Sequence, residues 1–551
     1  MFISLVLNTE YGNIQSRKLF YFQNLKFCAK NNGVMISYEY MKSHYNELLQ
    51  SVTKSLRKSW DIDDIETVGV DNVEQYFIPD SLLSRIEEQN HTRTETLFEL
   101  FEKNSEELES CLQEFINSIK KNHPKEDIEG LFCVQEPLRF VRSICEKNKI
   151  PLIPYFFSAI RQPHGYRDTL YYVNLNDWLY SSEEPQKRYA RFLSEKSSHL
   201  ILSHQELIAL LGKIRTFPLL PYIYSSPKYE LGICCEGSSV IPQFFSRGRV
   251  TDEDIFFDAD FYYSKDQVKV RSHSLQLERI QVDRSFVHND PASYLLSCKR
   301  VAAVRSQILL KALLWGRTTI SYTDMMGFSY LCAKSIDSNE EVDLEALNWY
   351  LFGYLVPHDL MFSHDYWRWR LTSPSESDIY CYHIKHLMRL FGLPIEILKM
   401  NSKDRYRRIL LNRIQDEELT EILCDCYNSR TDDIIDYDNA ISKFEVNGKP
   451  YWRINKVVDN RMVCHLQTHL DKIESILFYP FDDAAGIGKI EDLIINNKRI
   501  DISLSTTFFE KVKGCINLLP YYYGEKNNAT NLEIDIVWRS ETLADYMKNI
   551  K

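Results

Sequence analysis

Along the first 210 residues, short apolar runs alternate with long stretches in which apolar residues recur at helical spacing. "MFISLVLN" predicts a first strand. From about Ser81 to Lys121 the apolar positions fall three and four apart among Glu and Lys, which predicts helix. "IEGLFCVQEP" predicts a strand ending on Glu136, and "LRFVRSICEKNKIPLIPY" a helix followed by another strand. This βαβ rhythm predicts a parallel sheet with helices on its faces.

The rhythm returns near residue 230 with "ELGICC", a turn and helix in "GSSVIPQFFS", "KVRSH", "SYLLSC", "RVAAV", the helix of "RSQILLKALLWG" and the strand "TTISY". Residues 342 to 401 read as helical and rich in Trp, Arg and His, and "DRYRRILLNRIQDEELTEILCDCYN" continues the helices up to an acidic break, "SRTDDIIDYDNA". Beyond it, short alternating segments and an Asn-Gly in "VNGKPYW" predict hairpins and a β-sandwich. The expected fold class is therefore α/β, with two Rossmann-like domains (1–215 and 216–400), a helical linker (401–440) and a C-terminal β-sandwich (441–551).

Composition narrows the function classes. A chain of 551 residues exceeds one hydrophobic core. Its net charge of -11 argues against nucleic acid as a partner, because phosphate backbones need a basic face. The 13 cysteines follow no framework spacing and no basic n-region precedes an apolar run, so a cytoplasmic location with reduced thiols is expected. No apolar window reaches the roughly 18 residues of a membrane span. Cys424 and Cys426, and His383 and His386, lack a second pair at zinc spacing, so no metal is expected; the histidines read as helix-surface residues.

Three strand-end loops carry the candidate chemistry, since open α/β sheets bind ligands beyond the carboxyl ends of their strands. In "CCEGSSV", Glu236 closes a strand, and Ser238 and Ser239 open a turn whose donors suit an oxyanion, with helix capping as the plainer reading. In "KVRSHS", Arg271 offers a forked donor, and His273 and Ser274 follow. In "RSQILLKALLWG", Ser306 fits an N-cap, Ile308, Leu309, Ala312 and Leu313 form an apolar face, and Gly316 supplies the stop. "SHDYWRWRL" reads as a helix core with arginines reaching solvent, or as an aromatic platform for a sugar.

The order of these pieces, with "RQPHGYRDTLY" and "VPHDLMFSHDYWRWRLTSPSESDIY", resembles bacterial capsule and O-antigen 3-deoxy-D-manno-oct-2-ulosonic acid (Kdo) transferases, chiefly the retaining β-Kdo transferases, over about residues 130 to 400. The resemblance implies a GT-B-like arrangement in which the first domain serves the acceptor and the second the nucleotide sugar. It also implies a CMP-activated donor, a polysaccharide or glycolipid acceptor, no metal or other cofactor, and peripheral association with polysaccharide assembly machinery. Carried over, His273, Ser306 and Gln307 meet the CMP phosphate, and Arg271 that phosphate or the Kdo carboxylate. Retention by double displacement needs a carboxylate nucleophile. The family places an Asp where this chain has Glu236, with Asp258 and Asp260 as alternatives, and His-Pro where it has His273-Ser274. On the first domain, Glu136, Arg161 and His164 are candidates by strand-end position. The competing readings are a GT-B transferase using another nucleotide sugar and a catalytically inactive glycan-binding or assembly protein on the same scaffold.

Overall fold

The structure, a computed structural model, describes residues 1–7, 14–52, 57, 60–82, 84, 100, 103–135, 138–160, 169–177, 179–195, 200–235, 250–271, 285–286, 291–431, 439–459, 461–480, 487–501, 516–522 and 530–541. The chain forms two compact units. Residues 1–198, 325–330 and 349–387 make the first, and 199–324, 331–348 and 388–551 the second.

In the first unit, β1 (Phe2–Leu5), β2 (Val34–Tyr38), β3 (Gln75–Ile78), β4 (Gly130–Val134) and β5 (Leu152–Phe157) pair in parallel in the order β3-β2-β1-β4-β5. β6 (Leu170–Val173) runs antiparallel beside β5, and a two-residue strand, Val356–Pro357, closes that edge. The strand order reverses between β1 and β4. The central strands are largely apolar, as burial on both faces requires, and β1, β4 and β6 are fully buried, whereas the edge strand β3 is mostly half-buried.

The helix expected from about Ser81 to Lys121 is realised at its end as Glu106–Asn122. Ser105 accepts from the Leu108 N–H at this helix start, Glu106, Glu107 and Glu109 fill the first turn, and Lys120 and Lys121 the last, matching the macrodipole. Leu108, Leu112, Ile116 and Ile119 are its buried stripe.

The second unit repeats the topology. Its strands β7 (Tyr229–Cys234), β8 (Val268–Arg271), β9 (Ser285–Phe286), β10 (Cys298–Ala303) and β11 (Thr318–Ser321) are all parallel in the order β11-β10-β7-β8-β9. Leu231, Ile233, Val268, Val270, Ala302 and Ile320 meet Ile255 and Ala259 of helix Asp252–Tyr262 in one core. Within "SYLLSC" the chain is helical (Pro291–Ser297), and Tyr294 lies so close to β7 that a Cβ at Gly232 would stand 2.7 Å from its hydroxyl. Glycine is required there by close approach.

The C-terminal region is antiparallel, as its alternation predicts. Lys449–Val458 pairs with Asn439–Val446 along most of its length and with Arg461–Leu470 through Val457 and Val458, so it joins two halves of one eight-stranded sheet. Side chains of both halves share a core in which Phe478 meets Trp538. Asn447 and Gly448 take left-handed φ of 50° and 79° between directly paired Val446 and Lys449, the two-residue turn that Asn-Gly foretells.

Candidate functional site

In the second unit the strand order reverses between β7 and β10, the position where such sheets leave a crevice at their carboxyl edge. Register fixes what meets there. Cys234 lies opposite Arg271, Ala302 opposite Ile233, and Ala303 opposite Ser321. The Cys235 N–H donates to the Arg271 carbonyl at 3.0 Å, and the Thr323 hydroxyl to the Val304 carbonyl at 3.0 Å.

Arg271 and the Ser306–Gln307 pair therefore stand on strand ends flanking β7. Arg271 is half-buried, with a buried Nε that has no hydrogen-bond partner among the described residues. Its charge opposes the burial that pushes the neighbouring Cys234 thiol up to about 11, which keeps that thiol protonated at neutral pH.

Helix Ile308–Leu314 begins directly after Ser306 and Gln307. The Ser306 Oγ accepts from the Ile308 N–H at 3.4 Å, a long bond two residues on, while the backbone carbonyls of Ser306 and Gln307 take the Leu309 and Leu310 N–H groups. Ser306 thus serves its own helix start, with Gln307 in the N-cap position. At the other end Gly316 has φ +69°. Its N–H reaches Leu313 and the next N–H, of Arg317, reaches Ala312, which is a left-handed helix stop.

Of the alternative acids, Asp258 accepts from the Tyr322 hydroxyl at 2.6 Å, and Asp260 is exposed. Glu236, Ser238, Ser239, His273 and Ser274, and in the first unit Glu136, Arg161 and His164, lie outside the described residues.

The remaining motifs resolve differently from one another. In helix His364–Leu371, Trp367 is fully buried and Trp369 stacks on Tyr382 with ring centroids 4.9 Å apart. Arg368 reaches Glu129 at 2.6 and 3.0 Å, but Arg370 is buried rather than extended to solvent. His383 is not a surface residue. It is fully buried, hydrogen-bonded to the Tyr366 hydroxyl at 2.7 Å, and burial holds its pKa well below the ordinary value. Cys424 is buried as well. Among the described residues, one grouping has donors close enough for a metal, His465, Glu533 and Asp535 on the exposed side of the antiparallel sheet. No helix among them is long and apolar enough to cross a membrane.

The position of Arg271, Ser306 and Gln307 was legible from strand ends; the sharing of one edge by β7, β8 and β10 needed the pairing order. No family model matches the sequence, and no curated protein does. Among solved structures, the chain is similar to KpsC of Thermosulfurimonas dismutans, a β-Kdo 2,4 transferase, at 12% identity over 40% of this chain and 78% of that one, with a TM-score of 0.25.

Proposed function

We propose that the chain is a glycosyltransferase that moves Kdo, or a related ulosonic acid, from a CMP-activated donor to a growing bacterial surface polysaccharide with retention. The observation that carries this reading is the joint position of Arg271 and the Ser306–Gln307 helix start on strand ends flanking β7, at the strand-order reversal of a parallel sheet. The guanidinium fork of Arg271 and the Ser306 hydroxyl, which can donate while it accepts from the Ile308 N–H, suit the phosphodiester that links a nucleoside to a carboxylated sugar.

In this reading, Arg271, His273, Ser274, Ser306 and Gln307 hold the donor's phosphate and carboxylate, and Ser238 and Ser239 add donors from the loop after β7. As the glycosidic bond breaks, negative charge gathers on the CMP phosphate, and fixed positive donors lower that barrier. Glu236 attacks the anomeric carbon, forming a glycosyl ester as CMP leaves. The acceptor hydroxyl, deprotonated by a general base, then displaces Glu236. No metal or other cofactor takes part.

The test is thermal denaturation of the full chain with CMP, UDP and GDP. CMP is expected to raise the melting temperature, and the shift is expected to vanish in His273→Ala and Ser306→Ala. Stabilisation by UDP or GDP in place of CMP would reassign the donor, and CMP protection unaffected by both substitutions would remove this edge from the mechanism.

A further inference from the structure

Two neighbouring strands of the C-terminal sheet, Arg461–Leu470 and Thr530–Glu541, pair antiparallel with His465 opposite Asp535 and Gln467 opposite Glu533. Side chains alternate across a sheet, and Cys464, Leu466, Leu532, Ile534 and Ile536 fill the core on its inner side. His465, Glu533 and Asp535 therefore share the outer face. There the side chains of His465 and Asp535 are 50% and 42% exposed, open to a ligand from solvent.

Their donor atoms converge. His465 Nδ1 lies 2.8 Å from Asp535 Oδ1, and one ligand atom from each of the three side chains lies within 4.8 Å of the other two. Atoms each about 2.1 Å from one metal ion stand about 3.0–3.4 Å apart. His465 and Asp535 already have nearly that spacing, and the longer side chain of Glu533 has the reach to close the third position. The frame beneath them is held by backbone bonds. Asn496 Oδ1 accepts from the Glu533 N–H at 2.8 Å, the Asn496 N–H donates to the Glu533 carbonyl at 2.9 Å, and Arg453 Nε donates to the His465 carbonyl at 2.9 Å.

The local charge favours a cation. In the same half of the sheet Glu491 pairs with Arg461 and Arg539, and Asp492 with Arg499. Glu533 and Asp535 have no lysine or arginine partner among the described residues, and the group between them is one imidazole. Carboxylates two apart on one face of a strand repel each other, and a divalent ion between them turns that repulsion into attraction. The imidazole separates this set from a merely acidic patch. Imidazole nitrogen suits zinc, nickel and similar transition ions, whereas calcium and magnesium take oxygen donors.

We propose that His465, Glu533 and Asp535 bind one divalent transition-metal ion of the zinc class, through His465 Nδ1 and one oxygen of each carboxylate. On binding, the Nδ1 lone pair turns from Asp535 to the ion, and the neutral ring keeps its proton on Nε2. Three protein donors leave the remaining coordination to water or another oxygen ligand from solvent. The ion has no part in the transfer chemistry proposed above, and the site stands whether or not the transferase reading does.

Isothermal titration calorimetry of the full chain, stripped of metal by a chelator, tests it with zinc and nickel chlorides as probes and calcium and magnesium chlorides as comparators. Cys381→Ser is carried in every sample, because Cys381 is the exposed cysteine among the described residues and thiolates compete for zinc. One saturable class of zinc and nickel sites, one ion per chain, is expected. Its affinity is expected to fall at least about tenfold in each of His465→Gln, Glu533→Gln and Asp535→Asn, since even supporting residues of metal sites contribute that much. All three positions lie on the outer face, so the variants should keep the melting temperature of the metal-free protein, and any one that misfolds leaves two others to read. Zinc uptake unchanged in the folded variants, no saturable uptake of either probe, or uptake of calcium or magnesium alone would each overturn the proposal.

Discussion

The Arg188 guanidinium and the Glu376 carboxylate, 188 residues apart in sequence, meet at 2.9 Å with both side chains 8% exposed. Arg188 also donates to the Gly353 carbonyl at 3.1 Å and lies over the rings of Trp349 and Tyr354. The pair ties helix Glu183–Ser194 to the start of helix Glu376–Leu390, whose first N–H groups are capped by Glu195 at 3.0 and 2.7 Å.

Removing one partner leaves the other charge buried and unpaired. Arg188→Met is therefore expected to lower unfolding stability by about 3–5 kcal/mol, measured by urea denaturation. The half-exposed Arg191, 3.4 Å from Glu376, is too solvated to replace it. The double variant Arg188→Met with Glu376→Leu should recover much of the loss, because neither member of the pair is left without the other.

Two neighbouring groups contribute acid sensitivity in different pH windows. His364 packs against Phe2 and edge-on to Phe27, with ring centroids 4.6 and 4.8 Å away, and burial lowers its pKa to about 4. Unfolded, it titrates near 6.5, so between pH 6.5 and 4 the unfolded chain binds a proton that the folded chain refuses. Stability falls with falling pH across that window, by up to about 1.4 kcal/mol per pH unit. His364→Phe should reduce the slope of that part of the profile, to which His204 and the buried His383 also contribute. Glu129, held down to about 2 chiefly by Arg368 and also by the N-terminal amine, behaves as a carboxylate does. Its contribution is present above its unfolded pKa and is lost as pH falls toward 2, a window His364→Phe leaves untouched.

What was legible in the sequence was local. β1, β4, β5, β7 and β10 announce themselves as short apolar runs, and Asn447-Gly448 announces its turn, because burial and backbone conformation are set within a few residues. The interior places of Arg370 and His383 were not legible. In both cases the deciding partners are distant in sequence or on another helix: Arg370 sits near Arg188 and Glu376, and His383 bonds to Tyr366. Helical spacing alone cannot distinguish such a buried polar face from a solvated one. For the candidate site, strand-end position identified Arg271, Ser306 and Gln307, but only the order β11-β10-β7-β8-β9 places them about one strand. That Ser306 spends its hydroxyl on the Ile308 N–H was open in the sequence, since a cap and a ligand donor use the same residue type.

Gly316 tests the helix stop that follows this site. Its φ of +69° is one that L side chains rarely adopt, and a Cβ there would lie 3.1 Å from the His204 ring. Gly316→Ala is expected to cost about 1 kcal/mol or more in chemical denaturation. Gly392→Ala, with φ +66° but only an ordinary contact for its Cβ, Asn412 Nδ2 at 3.9 Å, should cost less and separates backbone strain from crowding.

Arg271 distinguishes a binding role from a structural one most sharply. Its Nε is buried without a partner among the described residues, so Arg271→Met should leave the melting temperature of the ligand-free protein unchanged or raised. If the guanidinium holds the donor's phosphate or carboxylate, the same variant loses the CMP-induced shift, and Arg271→Lys, a point charge without the fork, restores only part of it. A fall in ligand-free stability with the CMP shift intact would assign Arg271 to the fold instead. Glu236→Gln completes the comparison. It should keep the CMP shift while abolishing turnover, because the carboxylate acts on the anomeric carbon and not on the nucleotide.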